Sequence, residues 1–70
     1  MQMAEHREGF EILWEEPPEI AYKWRTRILS DDPRLYSLVS RNQVLLSAPT
    51  RERALTDARL FVEFVLGLAV

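Results

Sequence analysis

The sequence predicts an α+β domain: a three-stranded antiparallel sheet followed by one C-terminal helix. Three observations carry that expectation. Residues 10–15 and 20–29 alternate apolar and polar positions with period two, the pattern of half-buried strands. Residues 43–48 form a short apolar run ended by Pro49. From Thr50 onward the apolar residues recur at helical spacing over about four turns.

The first strand is Phe10-Glu11-Ile12-Leu13-Trp14-Glu15, with Phe10, Ile12 and Trp14 on one side. Glu16-Pro17-Pro18 stops it, because proline has no N–H to give a ladder. In the second strand Ile20, Tyr22, Trp24, Thr26 and Ile28 share one side; Ala21, Lys23, Arg25, Arg27 and Leu29 share the other. A hairpin about Pro17 pairs Trp14 with Ile20, Ile12 with Tyr22 and Phe10 with Trp24, and sets Glu11 opposite Lys23. A register two residues longer sets Glu11 opposite Arg25, and both make sensible cross-strand pairs. Ser30-Asp31-Asp32-Pro33 reads as a turn cluster. Arg34 to Ser40 fits either a short helical turn or an irregular loop. Val44, Leu45 and Leu46 centre the third strand.

Thr50 is a helix N-cap, and Glu52 lies in the first turn, where the helix dipole favours a negative charge. The helix runs from about Arg51 to Leu66 or beyond, with Gly67 a candidate breaker. Leu55, Ala58, Val62, Val65, Leu66 and Ala69 form the expected core stripe. Phe61, Phe64 and Leu68 form a second stripe beside it. The apolar arc spans about 200°, twice the width of about 100° that a helix on one sheet needs. The second stripe is therefore the expected partner interface, unless residues 30–42 fold back over it.

Seventy residues make a single domain, 1–70, with residues 1–8 expected to be a flexible lead. A domain this small has a marginal core and commonly gains support from disulfides, a metal or a second chain. Cysteine is absent and His6 is the one histidine, so disulfides and cysteine- or histidine-cluster metal sites are excluded. No cofactor is expected. The net charge of −2 gives no global attraction to nucleic acid or anionic membrane. The longest apolar stretch, residues 61–70, is interrupted by Glu63 and far shorter than a membrane span. No signal-peptide pattern opens the chain. A cytoplasmic protein without membrane contact is the expectation.

Catalytic constellations are not visible. Glu15-Glu16 and Asp31-Asp32 flank prolines, where carboxylates solvate turns. The serines lack a histidine partner and a nucleophile-elbow context, and two glycines cannot build a phosphate loop. The expectation is therefore not an enzyme. Lys23, Arg25 and Arg27 share one side of the second strand, the pattern of a phosphate-contacting stripe. Glu11 and Glu15 on the neighbouring strand offer ion pairs instead. The aromatic side of the hairpin suits core packing against the helix better than base stacking.

The segment Ser47-Ala48-Pro49-Thr50-Arg51-Glu52-Arg53-Ala54-Leu55-Thr56-Asp57-Ala58 resembles the helix start of the partial RNase H-like domain of HicB-type antitoxins. The resemblance covers residues 9 to 68 and implies a β-β-β-α topology. The proline-glycine segment of that family is missing, with Asp32-Pro33-Arg34-Leu35 nearest to it, and no DNA-binding segment follows the helix. Double-stranded RNA-binding domains also combine three strands with a C-terminal helix. They add an N-terminal helix and a lysine-rich helix start, neither of which this chain has.

These readings lead to a small non-catalytic protein-interaction module that self-associates through its C-terminal helix, as a homodimer or with another protein, at Phe61, Phe64 and Leu68. The alternative is a nucleic-acid-binding or antitoxin-like regulatory domain that uses Lys23, Arg25 and Arg27. No small-molecule substrate is evident.

Overall fold

A computed structural model of the chain describes residues 2–17 and 23–68. The class is α+β with an antiparallel sheet, as expected, but the sheet has four strands and there are two helices. In chain order these are β1 (Gln2–Arg7), β2 (Phe10–Glu15), β3 (Trp24–Ser30), α1 (Pro33–Val39), β4 (Gln43–Ala48) and α2 (Arg51–Leu66). The strands lie side by side in the order β1-β2-β3-β4. The expectation of three strands and one helix missed β1 and α1.

The segment expected as a lead pairs along its length with β2, from Gln2 opposite Glu15 to Arg7 opposite Phe10. Glu8 and Gly9 alone connect the two strands, with φ of 47° and 87°. Positive φ at both positions is the type I′ turn, whose twist matches that of the flanking strands. Glycine suits the second position because a side chain is disfavoured there by backbone sterics. Nothing lies within 4 Å of where a Gly9 side chain would begin, so the demand comes from the backbone alone.

The β2–β3 register also departs from expectation. Glu11 faces Leu29, six residues beyond Lys23, and Ile12 faces Ile28, Trp14 faces Thr26 and Glu15 faces Arg25. A slip by an even number of residues leaves every side chain on its own face. The alternation therefore suits all three registers equally. This register is incompatible with a tight turn about Pro17. The expected strand positions Ile20, Ala21 and Tyr22 lie outside the described residues, as does Ala69 of the helix stripe.

One face of the sheet carries the core. Phe10, Ile12, Trp14, Thr26, Ile28 and Ala48 are buried there, and Met3, Trp24, Val44 and Leu46 are partly covered. The aromatic side of the hairpin is thus core. Helix α2 closes it with Ala54, Ala58, Val62 and Val65, while Leu55, Phe61 and Leu66 pack at the margins. The small Ala54 enters the buried stripe where Leu55 was expected. Thr50 caps α2 as expected, accepting from the Arg53 N–H at 3.1 Å.

Helix α1 forms because Asp32 caps it and Pro33 opens it. Proline is favoured in the first turn, where its missing N–H costs nothing. Ser40 ends α1 in the left-handed region, φ 58°, and gives its N–H to the Tyr36 carbonyl at 2.7 Å. Leu35 is fully buried and anchors α1 to the core.

Replacing Gly9 by alanine should cost about 1–2 kcal/mol, the price of a side chain at positive φ. Gly9→Asn should cost less, since asparagine tolerates that region. Urea unfolding of the three proteins measures this, and equal stability of all three would rule out a type I′ turn.

Candidate interaction surface

Polar groups converge at one end of the sheet. The Ser30 hydroxyl donates to the Gly9 carbonyl at 3.0 Å and accepts the Asp32 N–H at 3.0 Å. The Ser30 N–H reaches the Asn42 carbonyl at 3.0 Å. The Asp32 carboxylate then accepts from the Arg34 backbone N–H at 2.8 Å, from Nε at 3.0 Å and from Nη2 at 2.7 Å. The remaining guanidinium nitrogen, Nη1, donates to the Leu66 carbonyl at 2.7 Å. That carbonyl is in the last turn of α2, where backbone acceptors have no partner inside the helix. Arg34 thereby ties α1 to the end of α2. The Arg34 guanidinium and then the Arg34 backbone N–H hold the Asp32 carboxyl down at about 2. The expected carboxylate pair at residues 31–32 is thus a helix cap. The pair at 15–16 is exposed at the end of β2.

A second set of contacts joins α2 to β1. Arg59 grips Glu5 with Nε at 3.0 Å and Nη2 at 2.7 Å, and Arg7 meets Glu63 at 2.8 Å. Arg51 approaches the Met3 sulfur at 3.8 Å. Two strand residues advance about 6.8 Å and four helix residues about 6 Å. Positions 5 and 7 of β1 therefore stay in step with positions 59 and 63 of α2 when the two run parallel. The Arg59 guanidinium lowers the Glu5 pKa.

Those pairs fix the roll of α2. Residues advance about 100° around a helix, so Arg59 and Glu63 occupy the flank toward β1. Phe61 and Phe64 occupy the opposite flank, on the β4 side, and Leu68 follows just past the end of the helix. The three do not share one environment. Phe61 is half-buried and packs against the core, Leu68 is half-buried, and Phe64 is 56% exposed. Leu60, which the sequence assigned to no stripe, is 58% exposed one turn before Phe64. Helix α1 packs against α2 yet leaves Phe64 open, and adds Tyr36 and Leu38 to the exposed apolar residues.

The other face of the sheet has no helix over it. Its rows are Glu15–Arg25–Ser47, Ala4–Leu13–Arg27–Leu45 and His6–Glu11–Leu29–Gln43. Arg25 and Arg27 are exposed there as expected, whereas Lys23 is exposed just before β3 begins. Glu11 and Glu15 interrupt the basic stripe, and Leu13, Leu29 and Leu45 flank it. Among the described residues neither arginine makes an ion pair. His6 pairs with Glu11 at 2.7 Å on this exposed face.

A depression of about 550 Å³ is lined by Ser30, Asp31, Pro33, Tyr36, Ser37 and Asn42, with Asp31 its one carboxylate. Among the described residues no group of three histidine, aspartate or glutamate side chains is close enough to hold a metal. No helix there is long and apolar enough to cross a membrane. Comparison with protein-family models, with curated proteins and with solved structures finds no match to this chain.

The cap predicts a pH window. The Asp32 pKa is depressed to about 2 from an ordinary 3.8, so its contribution is complete above about pH 4 and is lost as pH falls toward 2. Thermal melts should show the wild type losing more stability than Asp32→Asn between pH 4 and pH 2. Parallel losses in the two proteins would remove the cap from the account.

Proposed function

We propose that this chain is a non-catalytic protein-interaction module that self-associates, with the β4-side flank of α2 as part of the contact. The observation that carries this reading is the exposure of Phe64 and Leu60, 56% and 58%, on a helix whose opposite flank is occupied by ion pairs to β1. A fully buried side chain of this size gains about 1.5–3 kcal/mol relative to water. A domain of 70 residues has little stability to forgo. Tyr36 and Leu38 widen the apolar surface on α1, at 62% and 45% exposure. Grouped apolar exposure of this kind marks interaction sites more often than scattered single residues do.

A nucleic-acid role has less support. Arg25 and Arg27 share their face with Glu11 and Glu15, and Arg27 has a leucine opposite it on both neighbouring strands. A backbone-tracking surface needs several cations of one sign in a row.

Sedimentation equilibrium across a concentration series should show the wild-type chain associating. Phe64→Glu should weaken that association about tenfold or more, equivalent to about 1.4 kcal/mol, while the circular dichroism spectrum stays the same. A wild-type chain that stays monomeric throughout overturns self-association. An unchanged dissociation constant for Phe64→Glu removes the helix flank from the contact.

A further inference from the structure

We infer that two copies of this chain pair antiparallel along β4 about a two-fold axis at Leu45, joining two four-stranded sheets into one of eight strands. The inference rests on the self-association reading and supplies its geometry.

Among the described residues strand β4 is an open edge, since it follows β3 at the end of the sheet order. The hydrogen bond from the Ser30 N–H to the Asn42 carbonyl fixes which of its groups point outward. In an antiparallel ladder, residues of a hydrogen-bonded pair turn both backbone groups toward each other, and their neighbours turn both away. Ser30 and Asn42 lie in the same register as Leu29–Gln43 and Ile28–Val44. Val44, Leu46 and Ala48 therefore face β3 with their backbone, and Gln43, Leu45 and Ser47 present N–H and C=O groups at the free edge.

This edge is unguarded. Natural sheets protect edges with charges, prolines or bulges. The other edge, β1, carries Glu5, His6 and Arg7. In β4, Gln43-Val44-Leu45-Leu46-Ser47-Ala48, there is no charge and no proline, and its register against β3 runs through six pairs without a bulge.

The sequence of β4 complements itself about Leu45. Antiparallel pairing there sets Leu45 opposite Leu45 of the second copy, Val44 opposite Leu46, and Gln43 opposite Ser47. All three outward-facing residues of each strand are then hydrogen-bonded. The neighbouring allowed registers set Ser47 against Arg41, or Gln43 against Pro49, which has no N–H to give. Leu45, 66% exposed on the open face, meets its twin. Val44 and Leu46, half-covered on the core face, meet apolar partners. The flank of α2 that bears Phe61 and Phe64 lies on this same side, so the helical layers approach alongside the joined strands.

Cysteine cross-linking tests the register, because the chain has no cysteine of its own. Leu45→Cys places two sulfurs on residues about 5.5 Å apart between Cα atoms, within disulfide reach. It should oxidise to a covalent dimer. Gln43→Cys alone should not, as its twin lies about 13 Å away along the strands. A mixture of Gln43→Cys and Ser47→Cys should give the cross-linked heterodimer. Leu45→Lys sets two like charges at the axis and should weaken association about tenfold or more without altering the fold. A wild-type dimer in which Leu45→Cys does not cross-link, or Gln43→Cys cross-links as readily, overturns β4 pairing while self-association stands. A strictly monomeric wild type overturns both.

Discussion

The fold hangs on Ser30. Its side chain and backbone join the β1–β2 turn at Gly9, the cap of α1 at Asp32 and the start of β4 at Asn42. Ser30 is buried, and a buried hydroxyl or amide without a partner costs more than the bond itself contributes. Each of its groups therefore constrains a neighbour. The bond to Gly9 locks the end of β3 to the start of β2, which pins a register that the alternation of side chains leaves open. The bond from Asp32 sets where α1 begins. Arg34 then carries the connection to the last turn of α2. Toward the opposite end of the sheet Trp14 Nε1 and Thr26 Oγ1 are buried and find no hydrogen-bond partner among the described residues.

The two edges of the sheet are built differently, and α2 is the reason. On β1 the positions that face the helix are Met3, Glu5 and Arg7, so charges stand where an interior strand would carry apolar residues. They reach the flank of α2 and cover the border of the core. Each exposed ion pair is worth only about 0.2–1 kcal/mol, but Glu5–Arg59 and Arg7–Glu63 both act on the rotation of one helix. That rotation brings Ala54 and Ala58 down to the sheet and turns Phe64 away from β1. At β4 no comparable ion pair exists among the described residues: Val44 and Leu46 remain half-covered, and their own strand is uncharged.

The sequence was informative where burial is one-sided. Strands β2, β3 and β4, the sidedness of Phe10, Ile12, Trp14, Thr26 and Ile28, the Thr50 cap and the extent of α2 all follow from spacing. Strand β1 escaped because its inward positions are Glu5 and Arg7, which satisfy themselves by pairing and so erase the apolar alternation. Glu8-Gly9 before an alternating run was the one available sign. Helix α1 escaped because Asp32-Pro33 marks a turn and a helix start equally well. Of the surface residues, Arg25 and Arg27 stand on the face that alternation assigned them. Phe61 turns partly into the core because the roll of α2, set by contacts between residues more than fifty positions apart, cannot be read from a helix wheel.

A single sheet covered on one face by two helices is a thin design for 70 residues without a disulfide. The core is one layer deep, and Leu13, Leu29 and Leu45 lie on the face with no helix over it. Pairing at β4 would extend the ladder and cover the edge of the core at Val44 and Leu46 without changing the monomer fold. Whatever binds only the folded state adds to its stability by mass action. In that arrangement folding and association are linked equilibria, and the uncharged edge is where they meet. Charging β4 would protect a monomer from unwanted pairing. Leaving it uncharged, with charges concentrated on β1, would direct pairing to one side and limit growth, because a two-fold contact consumes the paired edge of both copies.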